Sequence, residues 1–72
     1  MRFFEWNLHR STNAITIVEY DEMKDESTTL HTIEGSSYDE QPDIYVEKWV
    51  KANAQTPYGI WDDCECEWVE YV

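Results

Sequence analysis

Apolar and polar residues alternate at the start of this chain. Phe4, Trp6 and Leu8 are interleaved with Phe3, Glu5, Asn7 and His9, a two-residue period that predicts a β-strand. Arg10-Ser11-Thr12-Asn13 is polar and turn-prone, and Asn tolerates the left-handed backbone such turns often need. Ala14 to Tyr20 is β-branched and reads as a second strand, closing a hairpin with the first. Asp21 to Ser27 is a charged loop, and Thr28 to Glu34 alternates more weakly as a third strand.

The period then changes. Tyr45, Val46, Trp49, Val50 and Ala52 or Asn53 follow helical spacing, with Lys48 and Lys51 toward the end that the helix dipole favours for cations. Two starts compete for this helix: a Ser37/Glu40 capping box, or Gln41-Pro42 with proline in the first helical position. Thr56-Pro57-Tyr58-Gly59 marks its stop. Ile60 to Val72 reads as one further strand. The order β-β-β-α-β predicts a single α+β domain over residues 1–72, an antiparallel-rich sheet of about four strands with one helix on one face. The last strand is expected beside the first or the third.

Composition separates this chain from disordered acidic proteins. Four Trp, five Tyr and two Phe can each bury a large area, and only two Gly and two Pro interrupt the pattern. Glu5 and Asn7 break up the N-terminal apolar residues, so no secretory leader is expected, and no apolar run approaches the ~20 residues that span a bilayer. A cytoplasmic location with reduced cysteines is the expectation.

Charge changes the picture most. Sixteen acidic residues against five basic ones give a formal net charge of −11. Solubility needs a magnitude of only about 2–8, and the excess is repelled by free nucleic acid and by anionic lipid. The expected partner is therefore a basic protein surface.

On a single C-terminal strand Asp63, Glu65 and Glu67 would project from one face about 6.8 Å apart, at ~3.4 Å rise per residue, resembling a row of phosphates. Glu40, Asp43 and Glu47 would form a second stripe at i, i+3 and i+7, and a third cluster contains Asp21 and Glu22 with Glu19, Asp25 and Glu26. Trp61, Tyr58 and Tyr71 are candidate interface anchors, whereas Trp6, Trp49 and Trp68 are assigned to the core. Tyr38 and Tyr45 flank the acidic start of the helix.

Nothing points to catalysis. Cys64-Glu65-Cys66 lacks the spacing of a redox pair, neighbouring carboxylates oppose thiolate formation, and the two thiols are expected buried and reduced. Zinc bound by Cys64, Cys66, His9 and His31 would need the strands to align, since the histidines have no paired spacing. No phosphate loop, nucleophile elbow or ordered Ser/His/Asp set is present, and no cofactor is implied. In size and charge the chain resembles small acidic phage proteins that block restriction enzymes, CRISPR effectors or repair enzymes. That resemblance implies an inhibitor that docks on a nucleic-acid-binding protein by nucleic-acid mimicry. The rival expectation is an interaction module, or a homodimer, using an aromatic patch or a sheet edge, with charge serving solubility.

Overall fold

A computed structural model describes all 72 residues. Its elements are β1 (Arg2–His9), β2 (Ala14–Asp21), β3 (Glu26–Ile33), a 3-10 turn (Gly35–Ser37), α1 (Pro42–Asn53), β4 (Tyr58–Asp62) and β5 (Glu67–Tyr71). The fold is α+β, with the helix laid on one face of a five-stranded mixed sheet of order β3-β2-β1-β4-β5. No helix is long and apolar enough to cross a membrane.

The fifth strand corrects the sequence reading. Ile60 to Val72 does not run through as one strand but folds back between Asp62 and Glu67. Asp62 causes the reversal, its Oδ1 accepting the backbone N–H of Cys64 at 2.9 Å and of Glu65 at 3.3 Å. Cys66 completes the turn in the left-handed region, at φ 51°. The β2–β3 turn is built the same way: Asp21 Oδ1 accepts from Met23 and Lys24, and Asp25 sits at φ 52°. Asn13, at φ 57°, closes the β1–β2 turn as its side chain allows.

Strand directions decide what meets at each end. β1 pairs antiparallel with β2 but parallel with β4, through Arg2↔Tyr58, Phe3↔Gly59 and Phe4↔Ile60. β3 and β4 run with β1, so α1 must carry the chain back between them. Its N-terminus therefore lies at the end holding the β1–β2 and β4–β5 turns. Proline at the first helical position, rather than the Ser37 box, sets the start, and Glu40 stays outside the helix.

Side-chain alternation assigns the core. Phe4 of β1, Ile15 and Ile17 of β2, and Tyr58 and Ile60 of β4 face α1, which supplies Val46 and Val50 one turn apart. Trp6 and Trp49 are half-buried around this cluster rather than inside it, and Trp68 faces away from it. Trp49 instead stacks on His31 at 5.1 Å, and His31 Nε2 lies 2.9 Å from the Tyr45 hydroxyl. Tyr58, expected at an interface, is buried edge-on to Phe4. In β3 the register slips between Ile17 and Val18, so Leu30 is an unpaired bulge residue packed toward the core.

Candidate functional site

Two surfaces carry the unusual chemistry of this chain. The first is the end of the molecule at the helix N-terminus. A cleft of about 320 Å³ opens there between α1 and the β4–β5 hairpin, floored by Trp6, Ile60, Val69 and Tyr71 and lined also by Trp61. Asp43, Glu47 and Asp62 line it, and no Lys or Arg does. Asp39 and Glu40 border an adjoining hollow against Asn13 and Gly35, and the turn that carries Asp63 and Glu65 continues the same end. Asp43 in the first helical turn is also favoured by the exposed N–H groups of the helix.

These carboxylates are partly engaged by their own fold. Asp62 caps its turn, and Tyr71 donates its hydroxyl to Glu47 Oε1 at 2.9 Å. Glu40 lies 3.9 Å from Lys48 Nζ, which offsets some of its charge. Burial, then the hydrogen bond to Glu47 and the charge of that carboxylate, push the Tyr71 phenol from its ordinary 10.0 up to about 12. The hydrogen bond to Asp25 raises Tyr20, and burial raises Tyr45.

A phenol held protonated by the fold stabilises it below pH 10, and that stabilisation is lost as pH rises from about 10 to about 12. Denaturant midpoints are therefore expected to fall across this window, and Tyr71→Phe is expected to flatten the fall, leaving the smaller contributions of Tyr20 and Tyr45. An unchanged slope in Tyr71→Phe would show that neither burial nor Glu47 holds the phenol protonated in the folded state.

The predicted carboxylate row does not form. Asp63 and Glu65 sit in the turn, whereas Glu67 opens β5 opposite Asp62 on the helix side of the sheet. Yet Asp63 and Glu65 arrive at the same end as Glu40 and Asp43, with Glu47 further along the cleft wall. Asp21 and Glu22 lie apart, at the opposite end of the sheet beside Met1 and Arg2. There Arg2 pairs with Glu19 through two 2.8 Å hydrogen bonds, which hold the Glu19 carboxyl below its usual range. Cys64 and Cys66 are exposed, not buried, because they belong to the turn. His9 and His31 point to opposite faces of the sheet, given their registers with Ala14 and Ile17, so the four-ligand zinc set is not brought together.

The second surface is the sheet face turned away from α1. Phe3, Val18, Tyr20, Trp61 and Trp68 lie on it, all half-buried, with nothing packed over them. Gly59 makes the arrangement possible. A Cβ there would stand 3.0 Å from the Phe3 ring, so its absence lets Phe3 and Trp68 meet across β4 at 4.9 Å. Trp68 then packs edge-on against Trp61 at 5.2 Å. Turn carboxylates hold the outer aromatics: Trp61 Nε1 donates to Asp63 Oδ1 at 2.7 Å, and Tyr20 donates its hydroxyl to Asp25 at 2.8 Å.

The sequence reading leaves Trp61 outside the core, where the structure also has it, but assigns Trp68 to the core and gives Phe3 no place on a surface. The available signal was Phe3 standing in phase with Glu5, Asn7 and His9, an aromatic on the polar side of β1. Comparison with protein-family models, curated proteins and solved structures finds no match to this chain.

Proposed function

We propose that this domain is an acidic inhibitor that docks on the basic surface of a nucleic-acid-binding protein and competes with the nucleic acid for it. The observation that carries this reading is the gathering of Asp39, Glu40, Asp43, Asp62, Asp63 and Glu65 at one end of a rigid scaffold. Against them stands Arg10 in the neighbouring turn, with Lys48 on the helix. A surface that binds phosphates with Arg and Lys would accept such carboxylates through charge-assisted hydrogen bonds. The clustering, rather than an even phosphate-like spacing, is what would compete. Anti-restriction and anti-CRISPR inhibition are the finer forms of this proposal.

The test uses Asp39→Lys, Asp63→Lys and Glu65→Lys together, with folding checked by circular dichroism. Proteins captured by the parent domain are expected to be released by duplex DNA and to bind the triple variant about a hundredfold more weakly, roughly 1 kcal/mol per reversed charge. Capture that survives both DNA and the triple change would sink the reading.

A further inference from the structure

We infer that the uncovered sheet face is a second docking surface, built to take an arginine-rich segment of a partner protein. The inference deepens the proposed function by naming the chemistry of the partner, and it rests on that reading.

Tyr20, Phe3, Trp68 and Trp61 form an aromatic band running from the β2–β3 turn to the β4–β5 turn. The band crosses four of the five strands without a covering element. The charged strand residues on this face are Glu5, in register with Val18, and Glu70, in register with Gly59. Asp25 and Asp63 hold the two ends of the band through the Tyr20 hydroxyl and the Trp61 indole. No Lys or Arg occupies a strand position here, because Arg2 lies on the other face over Phe4.

An aromatic face whose charged strand residues are all carboxylates suits a guanidinium better than any other common group. Arginine stacks on aromatic rings and meets a carboxylate through two parallel N–H bonds, and it gives up its hydration more readily than lysine. Nucleic acid and anionic lipid are repelled by the same rim. A second copy, paired symmetrically through this face, would bring two copies each of Glu5 and Glu70 into one interface with no strand Lys or Arg to offset them, at a net charge of −11 per chain. An arginine-rich partner satisfies both the rings and the rim.

The experiment titrates a nine-residue oligoarginine peptide into the isotopically labelled domain at physiological ionic strength. The four tryptophan indole N–H signals are followed by NMR. Trp61 and Trp68 are expected to shift and Trp6 and Trp49 to stay, with oligolysine of equal length binding several-fold more weakly. Glu5→Gln with Glu70→Gln, both changes at solvent-facing carboxylates, should weaken oligoarginine binding about tenfold. Trp68→Leu is expected to do the same if it folds.

Asp39→Lys with Glu65→Lys, which leaves Asp63 on the Trp61 indole, separates the two proposals, since it should leave the Trp68 shift in place while weakening the competition with DNA. Shifts confined to Trp6 and Trp61, the two indoles that line the acidic cleft, with Trp68 unmoved, would overturn the second surface and leave the first intact. Equal binding of oligolysine, or no loss in the double Gln variant, would also overturn it. Shifts of Trp61 and Trp68 that grow with protein concentration, without peptide, would assign the face to a second copy instead.

Discussion

Truncating Phe4 to alanine is expected to lower the melting midpoint by more than about 15 °C, or to leave the domain unfolded at 37 °C. Phe4 is fully buried on the central strand, between Ile17's strand and Ile60's, beneath Val46 and Val50. Its ring meets Tyr58 edge-on at 6.0 Å and lies under the Arg2 guanidinium at 4.9 Å. Removing such a ring costs about 3–5 kcal/mol in transfer and cavity terms. In a domain this small each kcal/mol moves the midpoint by roughly 4–8 °C. The core has seven buried apolar residues, so no second cluster can absorb the loss. Phe4→Leu, which keeps most of the volume, should cost less than half as much. Thermal melts followed by far-ultraviolet circular dichroism read both changes. A drop of only a few degrees for Phe4→Ala would mean that the helix does not close over this position.

The strands around Phe4 were legible because one face of each is buried and the other is not. That condition imposes alternation on Phe4-Glu5-Trp6 and on Ile15-Thr16-Ile17. The helix was legible because Pro42 fixes its start and Val46 and Val50 repeat at its period. The C-terminal hairpin was missed for a physical reason. Asp62 to Glu67 contains no Gly, Pro or Asn, the usual marks of a reversal, and Cys66 adopts the left-handed backbone without being a residue type that favours it. The alternation of Asp63, Glu65 and Glu67 with the two cysteines is therefore a coincidence of composition. A closer parallel was available in the sequence itself: Asp21 and Asp62 each open a four-residue turn and cap it in the same way.

The placement of aromatics was harder to read, because a sheet with one helix has only one covered face. Trp68 is as large an aromatic as any in the core, and sequence alone gives no reason to seat it outside; for Phe3 the one signal is its phase with Glu5, Asn7 and His9. Gly59 decides it by letting their rings meet over β4 on the side the helix cannot reach. Binding surface and core are thus made of the same residue types. They differ in strand phase, which becomes interpretable once the register between β1 and β4 is known.

Gly35→Ala is expected to destabilise the domain by about 1–3 kcal/mol, a fall of roughly 5–20 °C in the melting midpoint. A Cβ at Gly35 would stand 2.4 Å from the Thr12 carbonyl oxygen and 2.6 Å from Asn13 Cβ. Neither atom can swing aside, since one is backbone and the other belongs to a residue fixed at φ 57°. The 3-10 turn would have to lift from the β1–β2 turn, straining the bond from the Tyr38 hydroxyl to the Asn13 carbonyl. Tyr38 in turn packs on Tyr45 of the helix at 5.2 Å, so the disturbance reaches α1. Asp39 and Glu40 follow directly in sequence, and loosening this segment releases two carboxylates from the acidic end. Gly35→Ala should therefore weaken capture of a basic partner even at temperatures where the domain stays folded. Ser36→Ala, at an exposed neighbour, should change neither property. Hydrogen exchange at the Ser37 amide, which bonds the Glu34 carbonyl at 3.0 Å, reports the local opening. Protection there equal to the parent's, with an unshifted midpoint, would show that the 3-10 turn is not seated against the β1–β2 turn and that the acidic end lacks this support.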